Sequence, residues 1–149
     1  MEKTDKIKIV GTNRKAKYQY EIIEKYEAGL VLLGTEVKSL RESKVNIQEA
    51  YGKFINNELW LINSHISEYK YGNINNHDPL RPRKLLLNRR EIKKIKTKLQ
   101  EKGLTLIPIK IYFKNSYAKV EIAIAKGKKM YDKRETIKKR EIERKLKRT

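Results

Sequence analysis

Two apolar alternations face each other across a short polar turn, and they fix what kind of fold this chain can adopt. In LTLIPIKIYF, Ile107, Ile109, Ile111 and Phe113 are set on one side; Lys114-Asn115-Ser116 makes the turn, and YAKVEIAIA returns with Ala118, Val120, Ile122 and Ile124 inward. A period of two is the signature of a half-buried strand. Two such runs joined by a tight turn form a hairpin, and its apolar face needs further strands to cover it.

The rest of the chain supplies those strands. In KYQYEI, Tyr18, Tyr20 and Ile22 alternate with Lys17, Gln19 and Glu21, which reads as a strand with both tyrosines in the core. Gly29 and Gly34 bracket LVLL, a short buried strand. Tyr51 to Asn63 holds two strand-like runs joined at Asn56-Asn57, residues that tolerate positive φ. Pro108 cannot donate to a ladder, so its position belongs at an edge or a bulge.

One helix is well specified. Asn88 caps it, Glu91 completes a capping box, Leu87 and Ile92 are spaced as a staple, and Ile92, Ile95 and Leu99 form its stripe. Gly103 stands where a left-handed cap is wanted. A shorter helix is expected over Glu36 to Ser43, with Glu36 near its start and Arg41 near its end, as the macrodipole favours. Short strands with an inserted helix and high charge fit a mainly β, OB-like antiparallel barrel with flanking short helices. We assign the barrel to residues 1–125, with a flexible start at 1–6. Residues 126–149 are a basic tail, disordered when free and helical on an anionic surface, because Ile137, Ile142 and Leu146 make too thin a stripe to fold alone.

Charge then narrows the partner. Lys and Arg number 37 against 18 Asp and Glu, a formal net charge of +19. A polyanion relieves that self-repulsion, and neutralising phosphates releases counterions. DNA, RNA and an anionic membrane surface all qualify by charge alone. The chain has no cysteine, hence neither disulfides nor thiolate metal sites. MEKTDKIKIV lacks the apolar core of a signal peptide, and no apolar run approaches the ~18 residues of a membrane span. These features point to a soluble, cytoplasmic protein without a membrane partner.

Catalytic patterns are weak, and we read the chain as no enzyme, with no cofactor and no metal. His65 and His77 are isolated, and His65 reads as structural. His77-Asp78 in NNHDPLRPR resembles a metal or nuclease dyad superficially, but a turn before Pro79, with Asp78 capping amides, is the better reading. Cations interleaved with aromatics carry more. NRKAKYQY and GKKMYDKR place Lys and Arg beside tyrosines that can stack on unpaired bases. In the tail, where no core exists to join, Tyr131 reads as a stacking residue.

The strings NRKA, YEAGLVLLGTEVKSLR, KVN, KLLLNRREI, GLTLIPIKIYFKN, AKVEIAIAKGKK and DKRE occur in this order. Together they resemble the small protein B family, the SsrA-binding proteins of bacteria, from about Asn13 to about Arg140. The resemblance implies an OB barrel that binds the tRNA-like domain of transfer-messenger RNA and accompanies it into stalled ribosomes. There the RNA supplies a tag-encoding frame, and the tagged polypeptide goes to proteolysis; the protein itself has no catalytic activity. By resemblance Glu27, Leu86 and Lys119 match positions used for that RNA, although the residue pattern alone reads Leu86 as ordinary core. Asn13, Arg14 and Lys15 look like backbone-positioning contacts. Lys38 and Arg41, the cations of the short helix, join the RNA-binding set.

Gly127, Lys128 and Lys129, and then Asp132, Lys133 and Arg134, match two family motifs that serve the ribosomal step, with Gly127 a candidate bend. Tyr131 stands where the family usually has histidine, at a position implied to stack in the decoding centre; Tyr18 likewise replaces a common histidine. The partners implied are transfer-messenger RNA and ribosomal RNA of the decoding centre and mRNA channel, bound by a monomer. Two other readings stay open on the residues: a ribosomal-protein-like OB module with a basic extension, and, more remotely, a metal-dependent nuclease using His77 and Asp78.

Overall fold

The computed structural model describes residues 5–72 and 75–127. Expectations for Lys128, Lys129, Tyr131, Asp132, Lys133, Arg134 and the rest of the tail, and for the first residues of the chain, lie outside them.

In chain order the elements are β1 (Ile7–Thr12), α1 (Ala16–Gln19), β2 (Tyr20–Leu30), α2 (Gly34–Arg41), β3 (Val45–Asn46), β4 (Tyr51–Ile55), β5 (Glu58–Ile62), β6 (His65–Ile66), β7 (Arg83–Leu86), α3 (Arg89–Leu99), β8 (Leu104–Lys114) and β9 (Tyr117–Gly127). Seven strands form one antiparallel sheet in the order β1-β8-β4-β5-β7-β2-β9, and β9 also pairs with β8. That last pairing closes a ring through β8, β4, β5, β7, β2 and β9, leaving β1 added on the outside of β8. The mainly β antiparallel barrel with short flanking helices is therefore present. The ring holds one strand more than the five of the simplest OB barrel.

The hairpin that opened the sequence reading is its spine. Asn115 and Ser116 turn at φ 49° and 73°, and the register runs from Lys114↔Tyr117 to Leu104↔Lys126. Asn56 and Asn57 do the same between β4 and β5, at φ 51° and 63°. Left-handed backbone at both central residues matches the twist of the strands it joins. Val120, Ile122 and Ile124 are fully buried, together with Leu106, Ile111, Leu59, Leu61 and Leu85. Each such side chain contributes about 1.5–3 kcal/mol by leaving water.

Pro108 lies at a bulge, where the β8–β9 register shifts between Pro108 and Lys110. The bulge overturns the simple alternation expected for β8. Leu106 and Ile111 enter the main core, whereas Ile107 joins Ala16 and Ala125 in a satellite cluster against which Tyr20, Ile22 and Ile109 pack. The KYQYEI segment is also different from expectation. Residues 16–19 form a helical turn and the strand begins only at Tyr20, so Tyr18 is 66% exposed and is not a core residue. Burial of Ala16 beside Asn13 takes precedence over the local strand pattern. LVLL is no separate strand either: Leu30 ends β2, and Val31 and Leu33 are exposed on the way into α2.

Both predicted helices are present. In α3, Asn88 Oδ1 accepts from the Glu91 amide at 2.9 Å, and Ile95 is its buried anchor. The helix stops at Leu99, so Gly103, at φ 87°, shapes the connection to β8 rather than capping the helix directly. In α2 the first residue is Gly34, and Glu36 accepts from the Leu33 amide at 2.7 Å.

Glu36 also anchors that helix to the barrel. Its carboxylate is fully buried and receives Arg81 Nη2 at 2.5 Å and Arg83 Nε at 2.6 Å. Arg83, likewise fully buried, donates onward to Ser64 O at 2.5 Å, Ser64 Oγ at 3.0 Å and Pro79 O at 3.1 Å. Burial pushes the Glu36 carboxyl up, but the Arg81 hydrogen bond, the Leu33 amide and Arg83 outweigh it and hold it below its ordinary value. One ion cluster thus ties α2, the approach to β6 and the start of β7 together.

Candidate nucleic-acid interface

The register of the barrel decides which outward side chains meet. Gly29 of β2 lies opposite Leu86 of β7 on one side and Lys119 of β9 on the other, and Lys119 lies opposite Tyr112 of β8. Paired residues of an antiparallel ladder project to the same face, so Leu86, Gly29, Lys119 and Tyr112 form one row across the sheet. The adjacent row is Glu27, Glu121 and Lys110.

Glu27 and Glu121 are directly opposite, an unfavourable pairing unless cations relieve it. Each has its own relief. Tyr112 donates its hydroxyl to Glu27 Oε2, and Lys114 Nζ lies 3.4 Å from Oε1. Glu121 sits between Lys25 at 3.6 Å and Lys110 at 3.7 Å. The Tyr112 hydrogen bond leads the effects that hold the Glu27 carboxyl below its ordinary value, with Lys114 and Lys119 adding to it against burial. Burial and the same bond push the Tyr112 hydroxyl well above its usual range. The Lys110 ammonium lies 5.7 Å from the centre of the Tyr112 ring.

Among the described residues Lys119 forms no ion pair, although it stands between these carboxylates and Leu86. Beside it Leu86 keeps 50% of its surface exposed, contrary to the core reading of the pattern alone. The glycine between them matters: a Cβ at Gly29 would stand 3.3 Å from Leu86 Cβ. Bare backbone therefore lies between an apolar side chain and an unpaired ammonium. The arrangement suits a phosphate on Lys119, a base or sugar against Leu86, and a carboxylate able to accept from a ribose hydroxyl.

The other predicted residues lie elsewhere. Asn13 is buried, its Nδ2 donating to Pro108 O at 3.0 Å and its amide to Ile109 O at 2.7 Å, so it pins the β1–α1 corner to the bulge of β8. Arg14 and Lys15 are exposed at that corner, Lys15 3.9 Å from Glu49. Arg14 shares a concavity with Lys17, Tyr18 and Lys25, and Lys25 links the corner to Glu121 of the second row. Lys38 and Arg41 are exposed on α2; the Arg41 guanidinium lies 5.7 Å from the Phe113 ring centre. Gly127 is the last residue of β9, paired with Tyr20.

Sequence reasoning missed Tyr112 and Gly29. Tyr112 does alternate with the inward Ile111 and Phe113, which marks it as outward, but only the β2–β9–β8 register reveals its bond to Glu27. His77 and Asp78 do not converge on a common point. The imidazole is buried, with Nδ1 2.8 Å from Thr35 Oγ1 and Nε2 2.8 Å from Ile66 O. Asp78 accepts from the Leu80 amide at 2.9 Å, as a turn residue does. His65 is exposed on β6 opposite Asn46. Among the described residues no helix is long and apolar enough to cross a membrane.

The chain is similar to known proteins. An SsrA-binding protein of Carboxydothermus hydrogenoformans is 55% identical over 139 residues, 93% of each chain. One from Ligilactobacillus salivarius is 56% identical over 137 residues, 92% of this chain and 88% of that one. A solved structure described as "tmRNA-SmpB: a journey to the center of the bacterial ribosome" superposes with a TM-score of 0.67 at 49% identity, covering 78% of this chain and 82% of that chain. The family model for SmpB protein matches residues 10–149, and the chain belongs to that family.

Proposed function

We propose that this protein binds the tRNA-like domain of transfer-messenger RNA, the SsrA RNA. It then delivers that RNA to stalled ribosomes for trans-translation, so that incomplete polypeptides are tagged for proteolysis. The observation that carries the reading is the row Leu86–Gly29–Lys119 beside Glu27, an exposed apolar group and a cation with no ion pair among the described residues, held by register on the barrel. The relatives' description as SsrA-binding proteins, and that of the solved structure as tmRNA-SmpB, support it.

In this reading Glu27, Leu86 and Lys119 touch the RNA, and Arg14, Lys15, Lys38 and Arg41 supply phosphate contacts elsewhere on the surface. Asn13 acts indirectly by fixing the corner that carries Arg14 and Lys15. The barrel is the RNA-capturing unit. The extension holding Lys128, Lys129, Tyr131, Asp132, Lys133 and Arg134 serves the ribosome, with Tyr131 stacking where relatives use histidine. The work is done in the cytoplasm by binding alone, without catalysis or cofactor.

The direct test is to sequence the RNA that co-purifies with the protein from its native cells; a dominant tRNA-like transfer-messenger species is expected, and a random RNA population overturns the reading. Truncation after Gly127, the last paired residue of β9, tests the division of labour. Much of the RNA binding should survive while tagging on stalled ribosomes is lost.

A further inference from the structure

The connection between β6 and β7 carries a second aromatic and cationic cluster, on the side of α2. Tyr69 and Tyr71 pack edge to face with ring centres 5.6 Å apart. The Lys38 ammonium of α2 lies 5.4 Å from the Tyr69 ring centre, and Lys70 lies 5.7 Å from that of Tyr71. Tyr71 keeps 70% of its surface exposed. Neither Lys38 nor Lys70 pairs with a carboxylate among the described residues, although Glu68 lies two residues before Lys70.

The loop is braced from behind. Asn76 grips the Tyr69 backbone from both sides: its Oδ1 accepts from the Tyr69 amide at 3.1 Å and its Nδ2 donates to Tyr69 O at 2.8 Å. The Gly72 amide donates to the same carbonyl at 2.9 Å, and a Cβ on Gly72 would stand 2.5 Å from Asn76 Nδ2, so the clamp requires glycine there. Next in the chain, buried His77 is fixed to Thr35 and Ile66. Through Thr35 and the Glu36 ion cluster the same α2 that holds Lys38 is locked to the loop. An aromatic ring left in water on a restrained loop, beside unpaired ammonium groups, is built to receive something flat and anionic.

We infer that Tyr71, with Lys38 and Lys70, forms a stacking platform for an unpaired nucleotide of RNA, separate from the Glu27–Leu86–Lys119 face. The base stacks on the Tyr71 ring, and the two ammonium groups take the flanking phosphates. An exposed ammonium over a ring is a weaker contact than a base stacked on it, so Lys70 yields the ring and keeps the phosphate. Stacking accepts any base because every base has a π-face. The inference rests on the RNA-binding reading only in its choice of polyanion.

The test uses the full chain and a single-stranded RNA oligonucleotide carrying one 2-aminopurine, whose fluorescence falls on stacking. The expected result is quenching by the native protein, a roughly tenfold weaker Kd with Tyr71→Ala, from the usual effect of removing one stacking ring, and no change with Tyr71→Phe. Asn76→Ala, which loosens the loop but keeps every ring, should weaken quenching as well. Inorganic polyphosphate, an anion without bases, should bind native and Tyr71→Ala protein equally. Undiminished quenching in Tyr71→Ala, or an equal loss toward polyphosphate, overturns the inference. A parallel titration of tRNA-shaped RNA against Lys119→Ala reports on the other face, so failure there leaves the Tyr71 result independently readable.

Discussion

Glu36 and Glu27 hold similar sets of partners in opposite settings. Glu36 is fully buried between Arg81 and Arg83 and also accepts from the Leu33 amide. Glu27 keeps 41% of its side chain exposed and takes a hydroxyl from Tyr112 and an ammonium from Lys114. In the interior, water cannot replace a lost partner, so every donor must be in place and the cluster becomes architecture. At the surface the partners leave lone pairs and neighbouring cations available to a ligand. The difference teaches that the number of contacts around a carboxylate says little about its role until burial is known.

The sharpest way to break that contrast is Arg83→Ala. It strips a fully buried carboxylate of its buried partner, and a loss of about 3–5 kcal/mol is expected in urea denaturation. A loss below about 1 kcal/mol would show that water reaches Glu36, removing the contrast. Next in size is Lys119→Ala, which should weaken binding of tRNA-shaped RNA roughly tenfold. It should also lower the slope of log K against log salt by about one, with folding stability moved by no more than about 0.5 kcal/mol. An unaltered salt slope would remove Lys119 from the phosphate contacts.

Glu27→Gln keeps the shape and removes the charge. Stability should change by less than about 1 kcal/mol, as for exposed pairs, while RNA affinity falls; the reverse pattern would make Glu27 structural. The smallest effect is on pH dependence. Both carboxyls are held below their ordinary value of 4.5 in the folded protein, so each binds its proton more weakly folded than unfolded. Their stabilising contribution is complete above that value and is lost as pH falls through the folded values. Acid titrations of Glu36→Gln and Glu27→Gln should both show a shallower loss, and the buried site should account for more of the change.

How much of this was legible in the sequence follows the range of the forces involved. The β8–β9 hairpin, the Asn56-Asn57 turn and the Asn88 cap are local, and residue pattern and turn chemistry were enough to find them. The bulge at Pro108 was legible as a position, but its effect was not: it moves Ile107 out of the main core into the cluster around Ala16. Tyr18 was misread as core because strand alternation and one helical turn look alike over so few residues. Burial of Ala16 and the Asn13 bonds to β8 decide the matter from more than 90 residues away. The Glu36–Arg81–Arg83 cluster and the Leu86–Gly29–Lys119 row left no local trace, because both depend on ring closure. Motif resemblance named Glu27, Leu86 and Lys119, and only register explains why they are neighbours.

Closing the ring leaves β1 outside it. Among the described residues β1 pairs only with β8, so its other ladder edge is open. Ile7 and Ile9 are exposed on it, the composition that invites a strand from another molecule. Lys6 and Lys8 flank those isoleucines, and the bulge between Ile9 and Gly11 breaks the regular spacing that a second copy would have to match. A protein carrying so much positive charge thus guards an edge along which copies of it could otherwise polymerise.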